Sequence, residues 1–100
     1  MPFNQITPRN FTNDAIQMYA PDVSGVYGIS SAREWIYIGE TDNIQSSLLD
    51  HLHEINSTLM KREPTGFVFE VCDQPRRTSR QERLVTEYGP ACNRLAPQQS

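Results

Sequence analysis

The chain has 100 residues and a formal net charge of −3, with 37% apolar and 21% charged positions. That length gives room for one small core, and the composition excludes a disordered or fibrous chain. No apolar run nears the roughly 20 residues that cross a bilayer, so no membrane partner is expected.

The acidic balance weighs against a surface that neutralises many phosphates, although Arg76, Arg77, Arg80, Arg83 and Arg94 are five of the nine basic residues. The start, Met1-Pro2-Phe3-Asn4-Gln5, lacks the basic head and apolar stretch of a secretory signal, so a cytoplasmic location is expected. Cys72 and Cys92 then read as reduced thiols. His51 and His53 fall on different faces of a helix, with no CxxC beside them, which argues against a zinc site.

In chain order, the segment from Phe3 to Pro21 reads as a short helix with loose ends, capped by Thr12 and stopped by Pro21. Val23 to Ile29 and Trp35 to Gly39 are rich in β-branched and aromatic residues. The polar run between them is short, so the two strands pair antiparallel. Strict alternation places Trp35, Tyr37 and Gly39 on one face of the second strand, and Ile36 and Ile38 on the other. Ile44, Leu48, Leu52, Ile55 and Leu59 form one stripe at helical period, predicting a long helix capped by Thr41 or Asp42. Pro64 and Gly66 break the chain beyond Lys61 and Arg62.

Gly66 to Cys72 alternates as a third strand. Thr78 and Gln81 match a capping box for a final helix with Leu84, Val85 and Tyr88 on its apolar face. Gly89-Pro90 stops that helix, and a polar, frayed tail is expected after Asn93. The expected architecture is α/β (α+β): a three-stranded, mainly antiparallel sheet flanked by three helices, forming a single domain over residues 1–100.

Gly25-Val26-Tyr27 and Tyr37-Ile38-Gly39 place two tyrosines ten residues apart, each in a strand-like run with a glycine. Together with Thr41, the Asn43-Ile44 pair, His51, and Glu82 placed eight residues before Pro90 and eleven before Asn93, this resembles the GIY-YIG nuclease domain family over about residues 24–93. The resemblance implies a DNA endonuclease that hydrolyses phosphodiester bonds with Mg²⁺ or Mn²⁺. It implies Glu82 as the metal ligand, Tyr27 as the group that orients or deprotonates water, and Tyr37 on the phosphate or leaving group. His51 lines the cleft and Asn93 supports it.

Two positions depart from that pattern. Ser47 stands where the family has an arginine on the helix, and Glu40 stands where members often have lysine. An arginine fork clamps a phosphate, and loss of one transition-state donor costs on the order of 10² to 10³ in rate. A catalytically degenerate module that binds nucleic acid or protein, alone or as a homodimer, is therefore the alternative. The plain structural readings also stand: Tyr27 and Tyr37 as half-buried strand residues, Glu82 as a solvated helix charge, His51 on a helix surface, Asn93 as a tie for the C-terminus, and Trp35 as packing.

Overall fold

The computed structural model describes residues 8–54 and 57–95. Four antiparallel strands lie in the order β1-β4-β2-β3: β1 Arg9–Asn10, β2 Gly25–Ser30, β3 Trp35–Thr41 and β4 Gly66–Val71. The helices are α1 Asn13–Tyr19, α2 Ile44–His53, α3 Thr58–Lys61, α4 Gln74–Tyr88 and α5 Ala91–Leu95. The central strand β2 pairs with β3 on one side and β4 on the other.

The sheet therefore has four strands rather than the expected three. The added strand β1 is two polar residues paired with Phe67 and Gly66, too short to show any alternation. Thr12 caps α1 as expected, accepting from the Ala15 N–H at 3.2 Å. The part of the first segment before Pro8 lies outside the described residues, as does Ile55 of the expected long stripe.

That long helix divides into α2 and α3. Its cap is Asn43 rather than Thr41 or Asp42, with Asn43 Oδ1 accepting from Ser46 N at 2.9 Å. Ser57 starts a second cap by accepting from Met60 N at 3.2 Å, so the polar residue ends the continuity that the apolar period suggested. Leu59 still reaches the same core as Ile44 and Leu48, which is why the period survives the break.

Helix α4 begins earlier than the capping-box reading predicts. Asp73 is its N-cap and Pro75 sits in the first turn, where its missing N–H has no helical partner to lose. Thr78 and Gln81 consequently lie inside the helix. Gly89, at φ 58°, closes it with its N–H on Val85 O. The chain then turns back into α5, which runs to Leu95, and the rest of the tail expected to fray lies outside the described residues.

Two apolar layers sandwich the sheet. Tyr27, Ile29, Ile36 and Phe67 pack with Ile16 of α1 and with Ile44 and Leu48 of α2. Val26, Ile38 and Val68 pack with Leu84 of α4 on the other face. The alternation in β3 breaks at one point: Ile29 pairs with Tyr37 while Ser30 pairs with Trp35, leaving Ile36 as an extra residue. This β-bulge turns Ile36 and Tyr37 to the same layer and sends Trp35 to the other, where its ring meets Tyr88 at 4.7 Å. The expectation that Trp35 shares the face of Tyr37 is corrected by that one residue. No helix among the described residues is long and apolar enough to cross a membrane.

Candidate functional site

The register that pairs Tyr27 with Gly39 sets the site. Side chains of directly opposed strand residues share a face, and glycine leaves that face open beside Tyr27. A Cβ at Gly39 would lie 2.7 Å from Tyr27 Oη and 2.7 Å from Tyr37 Cε2, so the phenol of Tyr27 occupies the space that a side chain would take. Gly25 has a similar constraint: a Cβ there would collide with the Glu70 carbonyl and lie 2.7 Å from Ile44 Cδ1. Both motif glycines are thus sites of close approach.

From α2, His51 reaches down to the same face. Its Nε2 lies 2.8 Å from Tyr27 Oη. The Tyr27, Tyr37 and His51 rings are mutually within 6.0 Å, centroid to centroid. Burial pushes the Tyr27 phenol well above its usual range, with Tyr37 and Asp50 adding to the effect. Burial also raises Tyr37 and lowers His51 below the usual imidazole value. The pair is therefore a protonated phenol and a neutral imidazole sharing one hydrogen bond, whose direction follows the imidazole tautomer. A phenol held protonated is the opposite of the depressed pKa that a water-activating base needs.

Asn93 does not join this ring cluster; it grips the backbone of β3. As the edge strand, β3 presents unpaired groups outward. Ile38 N–H donates to Asn93 Oδ1 at 2.7 Å, and Asn93 Nδ2 donates to Ile38 O at 2.9 Å. The carboxamide stands in for a neighbouring strand and fixes α5 to the motif. Gln81 Nε2 donates to the same carbonyl at 3.1 Å.

Glu82 is one residue further along α4 and faces solvent, beside Ser79, Arg83, Thr86 and Glu87 on the outer surface of the helix. The structure brings Tyr27, Tyr37 and His51 together and leaves Glu82 apart from them. On α4 the residue turned to β3 is the amide Gln81, which sequence reasoning had spent on a capping box. Its position could have been read once Asp73 and Pro75 were taken as the helix start.

The two departures noted in the sequence also have defined surroundings. Ser47 Oγ lies 2.6 Å from Thr41 Oγ1, closing the β3–α2 connection with neutral hydroxyls. Glu40 receives Arg77 Nε at 2.9 Å and the Thr78 hydroxyl at 3.1 Å. Arg80 makes a two-bonded fork to Glu70, at 2.6 and 2.8 Å. Arg62, at the end of α3, pairs with Glu34 at 2.8 Å. The arginines that reach this part of the fold are each matched to a glutamate.

Among the described residues no three His, Cys, Asp or Glu side chains converge as a metal site. Glu82 points outward, Glu40 is neutralised by Arg77, and Gln81 offers an uncharged amide. A hard divalent cation asks for anionic oxygen, and Glu82 offers a single carboxylate on the outer surface of α4.

No protein-family model and no curated protein matches the chain. Among solved structures it is similar to the GIY-YIG N-terminal endonuclease domain of UvrC from Thermotoga maritima bound to its catalytic divalent cation, magnesium. That likeness has a TM-score of 0.64 and 21% identity, covering 76% of this chain and 92% of that one. A variant of the same domain with asparagine changed to alanine gives a TM-score of 0.64 at 21% identity, over 76% and 91%. One with tyrosine changed to phenylalanine gives 0.63 at 20%, over 76% and 91%. A likeness of this kind shows the fold alone: the chain has the GIY-YIG-like fold of those domains, an antiparallel sheet packed with helices.

Proposed function

We propose that this domain is a binding module of GIY-YIG fold in which phosphodiester hydrolysis has been lost. The observation that carries it is the sign of the charge around the aromatic cluster. Asp50 and Glu54 act on His51, Asp50 acts on Tyr27, and Glu40 acts on Tyr37, while among the described residues no lysine or arginine acts on any of the three. A phosphodiester brings negative charge to a site already negative, and nothing there replaces the cation absent at Ser47. Tyr27, Tyr37 and His51 in this reading form the wall of a recognition cleft in the cytoplasm, and Asn93 positions the strand that carries it. A protein partner or a second copy of the chain suits a net charge of −3 better than DNA does.

The second reading, a DNA endonuclease using Mg²⁺ or Mn²⁺ with Glu82 as metal ligand, is favoured by the likeness to endonuclease domains bound to a divalent cation. One assay separates the two. Supercoiled, duplex and branched DNA are incubated with the chain and Mg²⁺ or Mn²⁺, alongside Tyr27→Phe and Glu82→Gln. No cleavage above the variants is expected. Cleavage that Tyr27→Phe loses would overturn the binding-module reading, and Ser47→Arg should then raise the rate further.

A further inference from the structure

We infer that the cleft beside Tyr37 and His51 receives a cationic group on a short alkyl stem, an ammonium or a guanidinium, and turns phosphate away. This rests on the binding-module reading and names its ligand chemistry. The cavity measures ≈ 300 Å³ and opens between β3, the end of α2, α3 and α5. That is the small end of ligand pockets, with room for a side chain or a short amine but little for a nucleotide.

Charge decides what enters. Glu54 is the one ionised group among the described lining residues. His51 is held neutral by burial, and burial holds the Tyr37 phenol and the Cys92 thiol in their protonated forms. Arg62 stands near Cys92 with its charge met by Glu34, so it supplies no unmatched cation. Among the described lining residues an anion would therefore meet a carboxylate and no lysine or arginine, and a cation would meet a partner.

Shape adds a second reason. The Tyr37 and His51 rings are 5.2 Å apart and inclined at 55°, and both line the opening. Aromatic faces attract alkylammonium and guanidinium groups, more strongly when water is excluded. The Thr58 hydroxyl adds an acceptor at the wall, while Leu59 and Cys92 give the methylene stem an apolar surface. The occupant is thus a lysine or arginine side chain of a protein partner, or a free polyamine of the same chemistry.

The test is an NMR titration of the full chain with three probes: cadaverine, a short peptide with a single central lysine, and inorganic phosphate. The His51 ring and the Leu59 and Cys92 amides are followed. Saturable shifts at these groups with cadaverine or the lysine peptide are expected, and none with phosphate. Glu54→Gln should weaken the amine about tenfold, while Glu87→Gln, on the far side of α4, should not change it. Shifts with the peptide alone would assign the source to a protein partner, and equal shifts with cadaverine to a free polyamine; either supports the proposal. Phosphate moving the same resonances, or neither amine moving them, would overturn it. Such a failure leaves the binding-module reading intact, since that reading stands or falls on DNA cleavage.

Discussion

Gly39→Ala tests the geometry of the cluster most directly. The new methyl would sit 2.7 Å from Tyr27 Oη, 2.7 Å from Tyr37 Cε2 and 2.8 Å from Tyr27 Cζ. Ordinary contact begins near 3.5 Å, so the phenol must retreat by about 0.8 Å. It has little room to do so, because Tyr27 is 4% exposed and its hydroxyl is tied to His51 at 2.8 Å. Overpacking of this kind costs about 1–3 kcal/mol, and breaking the hydrogen bond adds about 0.5–1.5 kcal/mol. The smaller entropy of the unfolded alanine chain returns about 0.4–1 kcal/mol. A net loss of about 1–3 kcal/mol is expected, which for a domain of this size lowers Tm by roughly 5–20 °C. Thermal and urea unfolding would measure it, with the His51 ring protons followed by NMR. Tyr27→Phe removes the atom at 2.7 Å but leaves Cζ, so the double variant should recover part of the loss. A loss below about 0.5 kcal/mol with unmoved His51 resonances would refute the packing argument.

Three further outcomes are expected. Asn93→Ala leaves the Ile38 N–H without its acceptor and should cost about 1–3 kcal/mol in urea unfolding, whereas Gln81→Ala costs less because Ile38 O keeps its bond from Asn93. Glu70→Gln breaks the charged fork to Arg80, whose two side chains are only 13% and 16% exposed, and should cost about 1.5–3 kcal/mol; Arg80→Lys should restore less than the full amount. The His51 imidazole has a folded pKa below the usual 6.5, so its neutral form stabilises the fold above that value. The unfolded chain then takes up the proton first, and stability falls as pH drops through 6.5 toward the lower folded pKa. His51→Gln should flatten that part of the urea midpoint against pH, and an unchanged slope would place the titration elsewhere.

Much of the fold was readable because its signals are local. The β-branched and aromatic run of β2, the alternation of β4, the Thr12 cap and the Gly89-Pro90 stop each rest on a few neighbouring residues, and the elements appear there. The failures have a common cause in competition between signals. Ser57 begins a cap within an apolar stripe, and Asp73 with Pro75 begins a helix before a box that fits the same rule. The strand β1 exists only because β4 offers an edge to pair with, and no property of Arg9 and Asn10 alone announces it.

At the candidate site the tyrosine pair was legible because strand parity is a property of sequence. Parity held from Tyr27 to Gly39 to Tyr37 and failed only at the Ile36 bulge, one residue beyond the site. The acidic residue on α4 was the harder problem. One step along a helix turns a side chain by 100°, so Gln81 meets Ile38 while Glu82 meets solvent. Spacing along the chain to Pro90 and Asn93 counts residues but does not register which of two neighbours faces the sheet. The arginines posed the same difficulty: Arg77, Arg80 and Arg62 were free charges in the sequence, and only tertiary contact matches them to Glu40, Glu70 and Glu34. Once those pairs are formed, the net sign at Tyr27 and His51 follows, among the described residues, from Asp50 and Glu54. The cation site proposed for this cleft rests on that sign.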